Sequence, residues 1–134
     1  MTYRTLLVAK AAVALFFGAQ LLLAPVPVFG LMGVQLGAAG SFPAREYAAA
    51  MLGIMVLTWL AKDVKAPDAR GAILVQLLAY DGIGVVITLH ALATRLLNPL
   101  GWGIVAVYLF FTAGSAWVLA KKHPFRRPSA QPVA

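Results

Sequence analysis

The stretch "GAILVQLLAYDGIGVVITLHALAT", residues 71–94, lies between Arg70 and Arg95 and carries one carboxylate, Asp81, near its middle. A run this long and apolar is a transmembrane candidate, because about 20 helical residues cross a ~30 Å hydrocarbon core. At about 100° per residue, Asp81 shares a helix face with Arg70, Leu74, Leu77, Gly84, Thr88 and Arg95. Gln76, Ile83 and His90 recur at seven-residue steps and form a second stripe, on which His90 lies about 180° from Asp81. An aspartate at the centre of a span costs roughly 2.5–3.5 kcal/mol on insertion scales. Two polar stripes predict a helix packed on two sides, in the bundle centre or at an oligomer interface.

The rest of the chain repeats the pattern. Of 134 residues, 62% are hydrophobic and 11% charged, and the mean hydropathy is +0.87. A soluble domain carries about a quarter charged residues, so this chain has too little polar surface to cover itself in water. The expected fold is an all-α membrane protein with four transmembrane helices, over about 5–24, 44–62, 70–94 and 99–119, in an antiparallel bundle within residues 1–122. Prolines 25, 27, 43, 67, 99 and 124 fall at the predicted joints, as suits a residue that breaks helix interiors but is tolerated in first turns.

The net charge of +7 sits at the ends of the spans rather than in a basic patch for nucleic acid. Arg4, Lys62, Lys65, Arg70, Lys121, Lys122, Arg126 and Arg127 fall on one side, against Arg45 and Arg95 on the other. The excess of lysine and arginine predicts that both termini and the middle loop are cytoplasmic. Trp59 and Trp117 then belong to the cytoplasmic aromatic belt and Trp102 to the outer one. The start, "MTYRTLLVAKAAVALFFGAQLLLA", has the basic and apolar regions of a secretory signal but a poor small-residue cleavage site, and it reads as a retained helix. The tail over 123–134 is basic and proline-rich, suited to attraction by anionic lipid headgroups. The first outer connection, from Pro25 to Pro43, has no charge. It reads as an interfacial or re-entrant segment, a lid, or a contact with another subunit.

Depth offers Asp81 a partner. Lys10 is expected about 10 Å and Asp81 about 16 Å from the cytoplasmic ends of their helices, within reach of a lysine side chain. Intramembrane charges commonly pair or face water-filled cavities. The pair reads as a packing determinant, with a protonated aspartic acid bonded to a neighbouring helix as the other bland form. A coupling carboxylate in a transporter is the functional alternative. Ala14 and Gly18, Ala49 and Gly53, and Gly84 and Thr88 have the small-xxx-small spacing that lets helices approach. Gly82 and Gly84 leave room beside Asp81 for a helix or a flat ligand. Arg45 and Glu46 open the second span near the expected depth of His90 and Arg95, which predicts an outer polar cluster.

Catalytic chemistry finds little material. There are no cysteines, which excludes disulfides, thiolate metal sites and a cysteine nucleophile. His90 and His123 are expected on opposite sides of the membrane, and no H-E-x-x-H, paired carboxylates or phosphate loop occurs, so no metal site is predicted. Serines 41, 115 and 129 have no histidine or lysine at an activating spacing.

His90 could instead ligate a haem or chlorophyll-type ring. The segment "ITLHALATRLLNPLGW" resembles bacterial light-harvesting antenna helices, although those are single spans and Val86 stands where a small residue is usual. Across most of its length, through "REYAAAMLGIMVLTWLA" and "NPLGWGIVAVYLFFTAG", the chain resembles small four-helix bacterial inner-membrane proteins. That resemblance implies a multi-pass inner-membrane location and no activity.

The functional expectation is a non-enzymatic accessory or assembly subunit, acting by association as a homo-oligomer or with other membrane subunits, and no cofactor is predicted. The alternatives are an oligomeric transporter or lipophilic-ligand carrier using Asp81, and a pigment- or haem-binding subunit using His90.

Overall fold

A computed structural model describes residues 1–122 and is helical throughout its long segments. The helices are α1 (Tyr3–Leu23), α2 (Pro25–Leu31), α3 (Ala38–Ala61), α4 (Pro67–Ala93) and α5 (Gly101–Lys122). Four of them, all but α2, are long and apolar enough to cross a bilayer, the make-up of a multi-pass membrane protein. The tail expectation, with His123, Arg126 and Arg127, lies outside the described residues.

Local chemistry accounts for most helix ends. The Thr2 hydroxyl caps α1 by accepting the Thr5 amide at 3.1 Å. Pro25 and Pro67 occupy the first turns of α2 and α4, where an amide has no helical partner to lose. Asp68 adds a negative charge at the positive end of α4. Helix α4 stops where Arg95 takes a left-handed φ of 58° and the Leu96 amide reaches back to the Ala91 carbonyl at 2.9 Å. A left-handed conformation costs a side-chain-bearing residue roughly 1–2 kcal/mol. Arg95 therefore carries a strain that glycine would not.

Helix α1 packs along α3 and α4 along α5. Tyr3, at the start of α1, donates its hydroxyl to the Ala61 carbonyl at the end of α3, at 3.1 Å. At the other end of the pair, Arg45 Nε donates to the Leu22 carbonyl at 3.3 Å. Between them Gly18 lies against Leu52 and the Ala48 carbonyl. The α4–α5 pair closes on Gly84, where a methyl group would stand 2.6 Å from the Tyr108 ring. The two pairs meet where Met1, ahead of α1, and Leu6 of α1 cover Gly114 of α5. Leu6, Leu7, Leu74, Leu77, Phe111 and Val118 form the core between them.

Three expectations change. Pro43 lies inside a helix, because α3 begins at Ala38 rather than near residue 44. The segment before it is short, so the missing Pro43 amide removes one bond near the helix start instead of dividing a long span. Pro27 likewise sits within α2. The apolar connection is thus mostly helix, and its turn uses Gly33 at φ 85°, a conformation glycine adopts freely.

The second change concerns α4, which is covered on one face within the single chain. Leu74, Leu77, Asp81 and Thr88 are buried, whereas Gln76, Ile83 and His90 are exposed, so α4 does not occupy the bundle centre. Its shape explains this: with α1 on α3 and α4 on α5, every long helix keeps an outer face. Third, Ala49 and Gly53 are exposed, and no described side chain stands against Gly53, unlike Gly18 and Gly84.

The space at Gly84 belongs to the Tyr108 ring, whereas Gly82 faces open space. Overpacking a well-fitted contact costs about 1–3 kcal/mol. Gly84→Ala should therefore lower the thermal unfolding midpoint in detergent, and Gly82→Ala should leave it unchanged or raise it. Equal midpoints for the two variants would contradict the assigned α4–α5 packing.

Candidate functional site

Helix α1 brings Lys10 and helix α4 brings Asp81 into one buried ion pair, Nζ on Oδ1. Both side chains are sealed, with exposures of 6% and 0%. Lys10 Nζ also lies 4.6 Å from the Phe111 ring centroid and 5.1 Å from that of Tyr80. The rings present their electron-rich faces to the ammonium where no water can solvate it. Asp81 Oδ2 is buried and has no hydrogen-bond partner. The pair is thus compensated in charge but keeps one free acceptor oxygen.

Next to the pair, three phenols from three helices converge. Tyr47 of α3 and Tyr108 of α5 share a hydrogen bond of 2.7 Å, and the Tyr80 hydroxyl of α4 donates to Tyr47 at 3.0 Å. The Tyr80 and Tyr108 rings meet edge to face at 6.3 Å. Each hydroxyl thereby finds a partner, as a phenol away from water requires. Thr88 and Thr58 turn their hydroxyls onto Gly84 and Ile54 carbonyls of their own helices, both at 2.8 Å. Thr112 and Ser115 of α5 have buried hydroxyls without a partner.

The remaining predicted residues lie apart. Gln76 and His90 are on the outward face of α4, and Gln76 makes no hydrogen bond to a described residue. The outer cluster of Arg45, Glu46 and Arg95 does not form. Arg45 turns to the Leu22 carbonyl, Glu46 is exposed without an ion pair among the described residues, and Arg95 lies beyond the end of α4. Similar expected depth does not bring the three together: Arg95 follows the end of α4, where its backbone is left-handed. No group of three metal-ligating side chains occurs among the described residues.

Arg95 borders a separate open cleft of about 500 Å³, walled by Leu89, Leu92, Ala93, Leu97, Pro99 and Trp102. Asn98 holds its loop in place. Its side-chain amide donates to the Leu31 carbonyl at 2.8 Å, and its backbone amide donates to Met32 at 2.9 Å. Its Oδ1 accepts the Leu100 amide at 3.0 Å.

Tyr47, Tyr108 and Asn98 are additions to the residues singled out from sequence. Tyr108 had a signal, since tyrosine favours membrane interfaces and this one falls in mid-span. The Asn98-Pro99 step is a turn initiator. No family model, curated protein or solved structure matches the chain.

Removing one member of a buried pair strands a charge and costs about 3–5 kcal/mol, whereas replacing both with apolar residues is often neutral. Lys10→Met should therefore destabilise the protein strongly in detergent unfolding, and Lys10→Met with Asp81→Leu should recover most of the loss. Additive effects of the two substitutions would show that the residues do not act as a pair.

Proposed function

We propose that this chain is a multi-pass protein of the bacterial inner membrane that catalyses nothing and works by association, as an accessory or assembly subunit of a membrane complex. The carrying observation is Gln76, an exposed amide without a hydrogen-bond partner among the described residues, well inside the α4 span. An unpaired amide in an apolar medium costs about 4–8 kcal/mol by water-to-cyclohexane transfer. A protein neighbour supplies the donor and acceptor that lipid tails lack. Ala72 and Ala79 flank Gln76 on the same exposed face and let another helix come close. His90 continues that face toward the helix end.

The working arrangement is an antiparallel bundle with both termini cytoplasmic. It is supported by end-to-start contacts such as Tyr3 with Ala61, and by Arg4, Lys62, Lys65 and Arg70 gathering at one end of the spans. The basic tail would meet anionic lipids on that side. The sealed Lys10–Asp81 pair supports a packing role over ion coupling, since its charges are compensated within the protein.

Interhelical hydrogen bonds in membranes contribute about 0.6 to 2 kcal/mol. Native mass spectrometry of gently solubilised protein should thus find it with partners, and Gln76→Leu should weaken that assembly several-fold while the folded chain persists. A lone monomer in mild detergent, or assembly unchanged in Gln76→Leu, would defeat the reading. The same preparation separates the rivals: transport activity lost in Asp81→Asn would favour coupling, and a visible band that shifts in His90→Ala would favour a pigment.

A further inference from the structure

The Arg95 cleft combines two demands that one ligand class meets. Leu89, Leu92, Leu97, Pro99 and Trp102 ask for hydrocarbon, and Arg95 at the rim asks for an anion. Among the described residues no carboxylate pairs with Arg95, while Arg4, Lys10 and Lys62 all have acidic partners. Arg95 holds a left-handed helix-end position that favours glycine, yet the residue there is a cation bordering the cleft. Asn98 ties the loop to the Leu31–Met32 backbone, which preorganises the cleft. Its volume of about 500 Å³ falls within the range of ligand pockets, about 300–1,000 Å³.

We propose that this cleft binds an anionic phospholipid, with Arg95 gripping the phosphate and the Leu–Trp102 walls holding the upper acyl chain. Guanidinium presents paired donors that match phosphate oxygens. A phospholipid with net negative charge is favoured because a choline headgroup would set its own cation beside the arginine. Trp102 and the end of α4 lie together at the end of the spans, where aromatic residues meet headgroups. The cleft is separate from the outward stripe of α4 that carries Gln76, and its occupancy is independent of the association reading.

A cation at the C-terminal end of α4 also complements the helix dipole, but that role is indifferent to the headgroup. The test uses this difference. With Trp59→Phe and Trp117→Phe, the full chain keeps Trp102 as its one indole. It is reconstituted in phosphatidylcholine vesicles containing a small fraction of brominated phosphatidylglycerol or, separately, brominated phosphatidylcholine. Trp102 should be quenched by the glycerol lipid at about fivefold lower mole fraction, the factor matching about 1 kcal/mol for a basic residue at an anionic surface.

Arg95→Gly should abolish the preference while unfolding at the same temperature or higher, since glycine suits the backbone there. If that variant does not fold, Arg95→Gln serves the same purpose. Equal quenching by both lipids in the parent, or a preference that survives loss of the guanidinium, would overturn the assignment.

Discussion

A lysine and an aspartate facing each other between helices constrain everything packed around them. Hydrocarbon cannot solvate either group, so the protein must close over both. Lys10 fixes the register of α1 against α4, because its ammonium must arrive level with Asp81. The aromatic rings of Tyr80 and Phe111 then fill the space around the ammonium and exclude water. Tyr108 approaches α4 closely, and Gly84 is the position where its ring fits. The pair thereby joins the α1–α3 unit to the α4–α5 unit, alongside the apolar core of Leu6, Leu7, Leu74, Leu77 and Phe111, the Met1–Leu6 contact on Gly114 and the tyrosines. Such a pair adds little net stability over apolar packing, but every misaligned arrangement leaves a bare charge. Its effect is to select one register among many greasy alternatives.

The tyrosine cluster extends that selection to α3. Tyr47 accepts from Tyr80 and shares a bond with Tyr108, so one phenol from each of three helices completes the network. With the ion pair included, all four long helices contribute a polar group to the middle of the molecule. Polar residues in a bundle thus divide into two populations. Those inside are matched mostly to one another, with Asp81 Oδ2, Thr112 and Ser115 holding spare capacity. Gln76, outside, bonds no described residue, and this contrast separates the polar groups that join the helices from the one that does not.

Much of this was legible in the residues. The spans follow from apolar length, and the Lys10–Asp81 pairing follows from depth and from the cost of a lone charge. The buried face of α4 also follows from its period, since Leu74, Leu77, Asp81 and Thr88 are spaced for one side. What surrounds each face is a different question. Rotation of each helix about its axis decides whether Gln76 meets a neighbour, and no single-helix projection contains that rotation. The same limit hid Tyr47 and Tyr108, whose meeting depends on α3 and α5 turning toward α4. Pro43 misled because a proline marks a boundary only where the preceding residues cannot make a turn of their own, and here residues 38–42 do. The outer cluster rested on similar expected depth, which sets a level along the span and not which side chains turn toward one another: Arg45 turns to the Leu22 carbonyl, and Arg95 lies past the end of α4.

The two ends of the molecule are built differently. At the Tyr3 end, Arg4 reaches Asp63 at 3.1 Å and Lys62 reaches it at 3.6 Å. There Arg70 bonds the Val64 carbonyl and covers the Tyr3 ring. Arg4, Lys62 and Arg70 at that end are thus engaged by neighbouring acids, carbonyls and rings. At the Arg95 end the loop is tied by Asn98, a neutral side chain that donates to the Leu31 carbonyl at the end of α2 and accepts the Leu100 amide. Fixing a loop with an amide rather than an ion pair keeps the arginine beside it available. A tied loop, a guanidinium without an acidic partner among the described residues and apolar walls therefore occur together at that end. At the opposite end, side-chain bonds tie the helices to one another.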